Sequence, residues 1–440
     1  MTEGDSCHRA PVWTGTELTW QVFADPASEA GRTQRMPLGV GSATSGHTPA
    51  DCTVRSTVDG QTLFHPRLGD IPLPEGATVE AMSVSPHAGL RVAVLLRRGT
   101  ARRAVCVGGN HVSHVDSVVE LGPWLGRDEV VVIREEWPNR LPYRWNVDGG
   151  GLRPLLAASA AVVADVQRCD DVIGLSWSSV RQPRRIELVE RTELLAGPVR
   201  LRPDVPSGPV PPAARVALVE GVSCTLPCLI YAPASEPRGT VVLLHGGPNG
   251  AHLGTWSPFA DSLALDGWRV VLPNLRGSGL LDPALRPPKP DRYGHDDVDD
   301  VVSVIRHLGV GPIVLGGHSY GGYLAARAAH VCPQARGVFL LGGFLAAADL
   351  ADSEHASVLA FLRSAGGRFV ADRRPAPVPH FIAHGSADRR IPVAAMTSHA
   401  DELGDGSEVI VADGEGHGVQ TDAGARQVFP ALFTWLGGLD

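Results

Sequence analysis

Gly317-His318-Ser319-Tyr320-Gly321-Gly322 sits between the apolar run Pro312-Ile313-Val314-Leu315 and the alanine-rich run Tyr323-Leu324-Ala325-Ala326-Arg327-Ala328-Ala329. A β-type run, a Gly-x-Ser-x-Gly turn and a helical run, in that order, make a corner that lifts a serine hydroxyl above the end of a parallel sheet. Gly317 and Gly321 fall where a Cβ would collide at so sharp a corner, and Gly322 lets the helix pack close to neighbouring backbone. Glycine and serine are common in turns, so the pattern alone is weak. Its flanks are what make Ser319 the candidate nucleophile.

A serine hydroxyl is a poor nucleophile at neutral pH and needs a base, an acid to orient the base, and donors for the oxyanion. His384-Gly385-Ser386-Ala387-Asp388-Arg389-Arg390-Ile391-Pro392 follows the apolar run from Val378 to Ala383, which sets Asp388 in a loop at the carboxyl end of a strand. Gly414-Glu415-Gly416-His417-Gly418 follows Glu408-Val409-Ile410-Val411 and sets His417 in the next such loop. The order is Ser, Asp, His with gaps of about 70 and about 30 residues, the order of an α/β-hydrolase. His245-Gly246-Gly247-Pro248, directly after Val241-Val242-Leu243-Leu244, offers the backbone N–H of Gly247 to an oxyanion, with Tyr320, the residue after the nucleophile, offering a second. Each piece alone has a plainer reading: Asp388 as a turn or capping aspartate, His417 as part of a glycine-rich surface loop, His245 as a buried histidine bonded to backbone. The four together, each after a β-type run, favour a catalytic triad.

With those residues in view, the chain resembles the catalytic domain of the prolyl oligopeptidase family of serine peptidases, nearest its acylaminoacyl-peptidase and dipeptidyl-peptidase-like branches. The resemblance rests on His245-Gly-Gly-Pro248, Gly317-His-Ser-Tyr-Gly-Gly322, His384-Gly-x-x-Asp388 with Ile391-Pro392, and Glu415-Gly-His417. Leu275-Arg276-Gly277-Ser278-Gly279 and Arg292-Tyr293-Gly294-His295-Asp296-Asp297-Val298-Asp299-Asp300 also match. It covers residues 215 to 440, and it implies hydrolysis of peptide or amide bonds through an acyl-enzyme on Ser319. It further implies a propeller domain roofing the site.

Composition is that of a globular enzyme. At 440 residues the chain exceeds one typical core and suggests two domains. The net charge of −8 gives no basic footprint for nucleic acid. The start, Met1-Thr2-Glu3-Gly4-Asp5-Ser6, lacks a basic and an apolar segment, and no run approaches a membrane span, so a cytoplasmic protein with no membrane partner is expected. Seven scattered cysteines fit reduced thiols, and Cys224 and Cys228 have no second pair at zinc spacing. No metal and no cofactor is expected. The acidic cluster Asp296, Asp297, Asp299 and Asp300 reads as capping and dipole complementarity at the start of a helix running to Leu308.

Strand-like runs near 239–244, 268–273, 312–316, 337–341, 379–383 and 407–411 alternate with amphipathic segments such as Pro258 to Leu265 and Ala425 to Leu436. That alternation predicts a mostly parallel, doubly wound sheet over 215–440, an α/β-hydrolase catalytic domain. Residues 1–200 carry short β-type runs with turn signals. Those from Val79, from Ser117 and from Ala160 recur at roughly 40 residues, as propeller repeats do. About 200 residues hold four or five blades at most, so the expectation is an all-β, reduced propeller-like gating domain, with a β-sandwich or barrel as the alternative. Residues 201–214, rich in proline, read as the linker. His111 and His114 read as loop residues, and Tyr293, Phe344 and Trp256 as packing rather than pocket lining. The functional expectation is a serine hydrolase acting on short peptides. An esterase, thioesterase or acyl transferase or cyclase with the same triad is the alternative, with a small acyl substrate. The sequence leaves the oligomeric state open, a homo-oligomer included.

Overall fold

The computed structural model describes residues 69–439, apart from 87–90, 100, 109–110, 150, 158–159, 203–213, 310 and 366–373, together with six strands ahead of residue 69. The carboxyl-terminal half is built on an eight-stranded sheet. Its order is Arg215–Glu220, Thr225–Tyr231, Trp268–Pro273, Gly239–Leu244, Ile313–His318, Ala335–Leu341, His380–Gly385 and Glu408–Ala412. Pairing is antiparallel for the first two contacts and parallel for the rest. Helices cover both faces, so the central strands are apolar on both sides. Val242, Leu244, Leu315, Leu340 and Ile382 pack with Tyr323 and Val301. Val241, Val314, Phe339 and Phe381 pack on the other face with Leu263, Val428 and Leu432. This is an α/β-hydrolase fold. The helices Pro258–Leu265, Asp296–Leu308 and Asp422–Gly437 lie where the amphipathic segments predict them.

Among the described residues the amino-terminal half is β apart from the short helix Arg191–Ala196, in mainly antiparallel sheets of four, three, four and seven strands. The seven-stranded one is two units, Val118–Trp124 to Leu152–Pro154 and Val162–Cys169 to Gln182–Glu190, joined by a single parallel pairing of Arg140 with Val162. The units pack face to face in the manner of propeller blades. In Glu129–Glu136, Val130 and Val132 face Ala93 and Leu95 of the preceding unit, and Val131 and Ile133 face Val163, Ile173 and Leu175 of the following one. Period-2 alternation thus buries both faces of one strand against two neighbours. The domain is propeller-like and reduced. His111 and His114 lie on the strand His111–Asp116, paired to Gly108 and Val105, and not in a loop. Most of the proline-rich stretch lies outside the described residues. No described helix is long and apolar enough to cross a membrane.

Of the acidic cluster, only part serves the helix dipole. Asp300, fully buried, takes Arg276 bidentately at 2.8 and 2.5 Å, and Asp297 accepts the Tyr320 hydroxyl. Asp300 thus braces the Arg276 loop, while Asp297, which also accepts Val298 N at 3.2 Å in the first turn of its own helix, ties that turn to Tyr320.

His380, fully buried at the start of its strand, donates from Nδ1 to Val378 O at 2.7 Å while Nε2 has no partner among the described residues. Burial lowers its pKa to about 4, against the hydrogen bond to Val378. Between about pH 6.5 and that value the unfolded chain binds the extra proton, so stability falls on acidification by up to about 1.4 kcal/mol per pH unit. His380→Asn keeps a donor and cannot titrate. Its melting temperature should therefore approach and then exceed that of the wild type between pH 7.5 and 5. A constant difference between the two over that range contradicts this role.

Candidate active site

The site is made at the carboxyl ends of the parallel strands. The chain leaves the strand at His318, reverses at Ser319 and enters the helix Tyr320–Ala329. Ser319 takes φ 54° and ψ −121°, a left-handed conformation that costs on the order of 1–3 kcal/mol for a residue with a Cβ. The corner closes only because its neighbours are glycine: a Cβ on Gly317 would lie 2.5 Å from Gly321 C, and one on Gly321 would lie 2.3 Å from Leu244 O. The hydrogen bond from Ser319 N to Leu341 O, 3.1 Å, holds the corner against the next strand.

Asp388 follows the strand His380–Gly385 and is buried. One oxygen, Oδ1, accepts the N–H groups of Arg390 and Ile391 at 2.8 and 3.0 Å. The other, Oδ2, faces His417 Nδ1 at 2.8 Å and His384 Nε2 at 3.3 Å. Burial works against its charge, but the hydrogen bonds from His384, His417 and Ile391 outweigh it and hold the carboxyl well below the usual carboxylate range. An ionised acceptor at Nδ1 puts the proton of His417 on Nδ1, leaving Nε2 as the basic nitrogen. His384 Nε2 also contacts Ile391 O at 2.8 Å; with two acceptors around it, Nε2 carries that ring's proton.

The His417 loop is fastened from below. Glu415, 1% exposed, accepts Gln420 N at 2.8 Å and Thr421 N at 3.1 Å, and Thr421 caps the helix Asp422–Gly437. The His318 ring lies 4.8 Å from the His417 ring and fills the space between Gly246 and Gly418, where an added Cβ would approach its nitrogens to 3.0 Å. Burial first, and then His417, lower its pKa, so it is a neutral spacer. Ser319 Oγ makes no hydrogen bond among the described residues; serine–histidine contacts of this kind are often long until substrate is present.

Gly247 has φ 142°, and a Cβ there would meet Asn249 N at 2.3 Å, so the loop His245–Gly250 needs glycine at that place. Gly246 lies against Ser319: a Cβ on it would be 3.3 Å from Ser319 Cβ. Tyr320 opens its helix, where the first N–H groups lack intrahelical acceptors. His245 donates from Nδ1 to Gly246 O at 2.9 Å and accepts the Ser278 hydroxyl at Nε2, 2.8 Å; half-buried, with its pKa lowered chiefly by desolvation, it is the backbone-bonded histidine of the plainer reading. Phe344 stacks on Tyr323 at 4.8 Å and Tyr293 packs edge-on against Tyr320 and Phe361, as packing residues do. His384 is the contact with Asp388 that sequence reading passed over. Its spacing of four before Asp388 was the available signal.

Residues 239–377 match a family model described as the alpha/beta hydrolase fold. The chain is similar to the acylamino-acid-releasing enzyme of Sus scrofa, 31% identical over 109 residues, 22% of this chain and 15% of that protein. It is also similar to a proline iminopeptidase of Clostridium botulinum, 32% identical over 135 residues, 30% of this chain and 44% of that one. The chain thus spans less than half the length of these curated relatives in what it matches. Among solved structures, a puromycin hydrolase superposes with a TM-score of 0.70 at 16% identity, covering 98% of this chain and 69% of that one. The acylaminoacyl peptidase of Pyrococcus horikoshii gives 0.64 at 16%, covering 96% and 74%. Both likenesses span the two halves together. The chain therefore shares with these structures a β domain followed by an α/β-hydrolase domain.

Proposed function

We propose that this protein is a serine peptidase of the prolyl oligopeptidase type that cleaves short peptides through an acyl-enzyme on Ser319. The observation that carries the reading is the 2.8 Å contact between His417 Nδ1 and Asp388 Oδ2, made beside a serine held on a strained corner. Ser319 Oγ attacks the scissile carbonyl carbon as His417 Nε2 takes its proton. The carbonyl oxygen becomes an oxyanion facing the N–H groups of Gly247 and Tyr320, where each fixed donor contributes several kcal/mol, about 3 by analogy with single-donor deletions. Collapse breaks the C–N bond, and His417 returns the proton to the leaving amine. Water, deprotonated by His417, then releases the acid and restores Ser319. Asp388 stays ionised throughout and holds the imidazole in its working tautomer.

The relatives named above act on acylamino acids and proline peptides by their names, which favours amides over esters as substrates. The β domain, in contact with the hydrolase half, would restrict entry to short chains. Side-by-side kcat/KM values for a panel of aminoacyl and N-acyl-peptide anilides and a panel of short-chain acyl esters and thioesters test this. Turnover of anilides that competes with the best ester is expected. Ester or thioester turnover with no anilide cleavage would move the same triad to an esterase, thioesterase or acyl-transfer reaction.

A further inference from the structure

The hairpin of Glu129–Glu136 and Asn139–Asn146 belongs to the β domain, yet its tip bonds to the hydrolase half, with Glu135 buried and Trp137 and Pro138 half-buried there. Glu135, with a side chain 4% exposed, pairs one oxygen with Arg140 at 2.8 Å and uses the other to accept Leu281 N at 2.6 Å, 146 residues away. Trp137 donates from Nε1 to His252 O at 2.9 Å and packs among residues of the hydrolase core. Pro138 O accepts Gly254 N at 2.7 Å, an approach so close that a Cβ on Gly254 would meet Pro138 O at 3.1 Å. A carboxylate removed from water needs full compensation, and a charge-assisted bond to a backbone N–H supplies part of it.

Both segments so gripped lead to the oxyanion loop. His252 is held from within by Asn274, fully buried, which accepts His252 N at 2.7 Å and donates to His252 O at 3.0 Å, so that one carbonyl takes a donor from each domain. The segment ending at Leu281 reaches the same loop from the other side, through Gly279 N to Gly250 O at 2.9 Å and Ser278 Oγ to His245 Nε2 at 2.8 Å. Gly250 N in turn bonds Gly246 O at 3.1 Å, and Gly246 abuts Ser319.

We propose that Glu135 and Trp137 are positioning residues for the oxyanion loop His245–Gly254, so that the β domain completes the catalytic site of the hydrolase domain by hydrogen bonds to its backbone. The inference rests on the serine hydrolase reading of Ser319 and Gly247. Neither side chain need touch substrate. Their work is to fix where the Gly247 N–H points, and a displacement of about 1 Å in a catalytic group can cost about 100-fold.

The test uses the full chain with Glu135→Ala, Glu135→Gln and Trp137→Phe. The readouts are kcat and KM on the best peptide anilide, the rate of Ser319 labelling by a fluorophosphonate, and the melting temperature. Labelling forms the Oγ–P bond, expels fluoride and passes the serine proton to His417, so it needs nucleophile and oxyanion donors but no peptide specificity. Glu135→Ala and Trp137→Phe should lower kcat and the labelling rate in parallel, by about 10- to 100-fold, with KM within about threefold of wild type. Glu135→Gln keeps an oxygen for Leu281 N and should recover most of the loss. Folded variants with kcat and labelling rates within twofold of wild type overturn the proposal, as does a raised KM at unchanged kcat, which belongs to a substrate contact. Where Glu135→Ala does not fold, Trp137→Phe decides. A wild type that labels but cleaves no peptide defeats the peptidase reading alone, and the labelling rates still judge the hairpin.

Discussion

Ser319→Ala and His417→Ala should each lower kcat/KM by about 10⁴- to 10⁶-fold while the protein remains folded. The serine variant loses the atom that attacks; the histidine variant leaves Oγ with its proton and no neighbouring base to take it. Because the two act as one unit, the double variant should be little worse than either single one. A residual rate should persist in all three from substrate held against the N–H groups of Gly247 and Tyr320. Folding should survive because neither side chain is part of the core. The conformation at residue 319 is imposed by Gly317, Gly321 and the bond from Ser319 N to Leu341 O, all kept by alanine. The measurement is kcat/KM on the best anilide beside a melting curve and fluorophosphonate labelling. Either variant retaining a tenth of wild-type activity, in a preparation free of other hydrolases, removes that residue from the mechanism.

What local sequence could disclose about this molecule, it disclosed at the strands and their loops. Apolar runs such as Ile313-Val314-Leu315 are buried on both faces and so read as central strands, and the loops after such runs carry Ser319, Asp388 and His417 in the order the sheet brings together. The antiparallel strands Arg215–Glu220 and Thr225–Tyr231 were less legible. The first, at the sheet edge, leaves Val216 and Leu218 exposed, and the second contains Pro227, which a strand pattern does not favour. The acidic cluster was legible only as a helix start, because the partners of Asp300 and Asp297 come from elsewhere in the chain, Arg276 from a loop and Tyr320 from the start of another helix. The tip Glu135-Glu136-Trp137-Pro138 looks in sequence like an ordinary polar turn. Its contacts with Leu281 and His252 lie 146 and 115 residues away, beyond any local periodicity.

Asp388→Asn should be the second most damaging change, lowering kcat by about 10⁴-fold with KM little altered. The wild-type carboxylate accepts on both oxygens: Oδ1 from Arg390 N and Ile391 N, Oδ2 from His417 Nδ1 and His384 Nε2. An amide has one oxygen and one NH₂. If the oxygen keeps Arg390 N and Ile391 N, the NH₂ is presented to His417 Nδ1, which must then accept; the imidazole proton moves to Nε2, where it can no longer take the proton of Ser319. If the amide turns over, the NH₂ faces two backbone N–H groups and the loop is disrupted. In either orientation the negative charge that stabilises the imidazolium is gone. Stability should change with pH in a matching way. The folded carboxyl is held below its unfolded value, so its contribution is fully present above about pH 4 and is lost as pH falls through the folded value. Asp388→Asn should therefore be less stable than wild type at pH 7, with the gap narrowing toward pH 3. Asp413 supplies the control. Among the described residues it accepts only the Ser386 hydroxyl, at 3.2 Å, so Asp413→Asn should keep kcat within a few-fold. A variant series in which Asp413→Asn is the more damaging of the two assigns the acid wrongly and requires His417 to be oriented by another group.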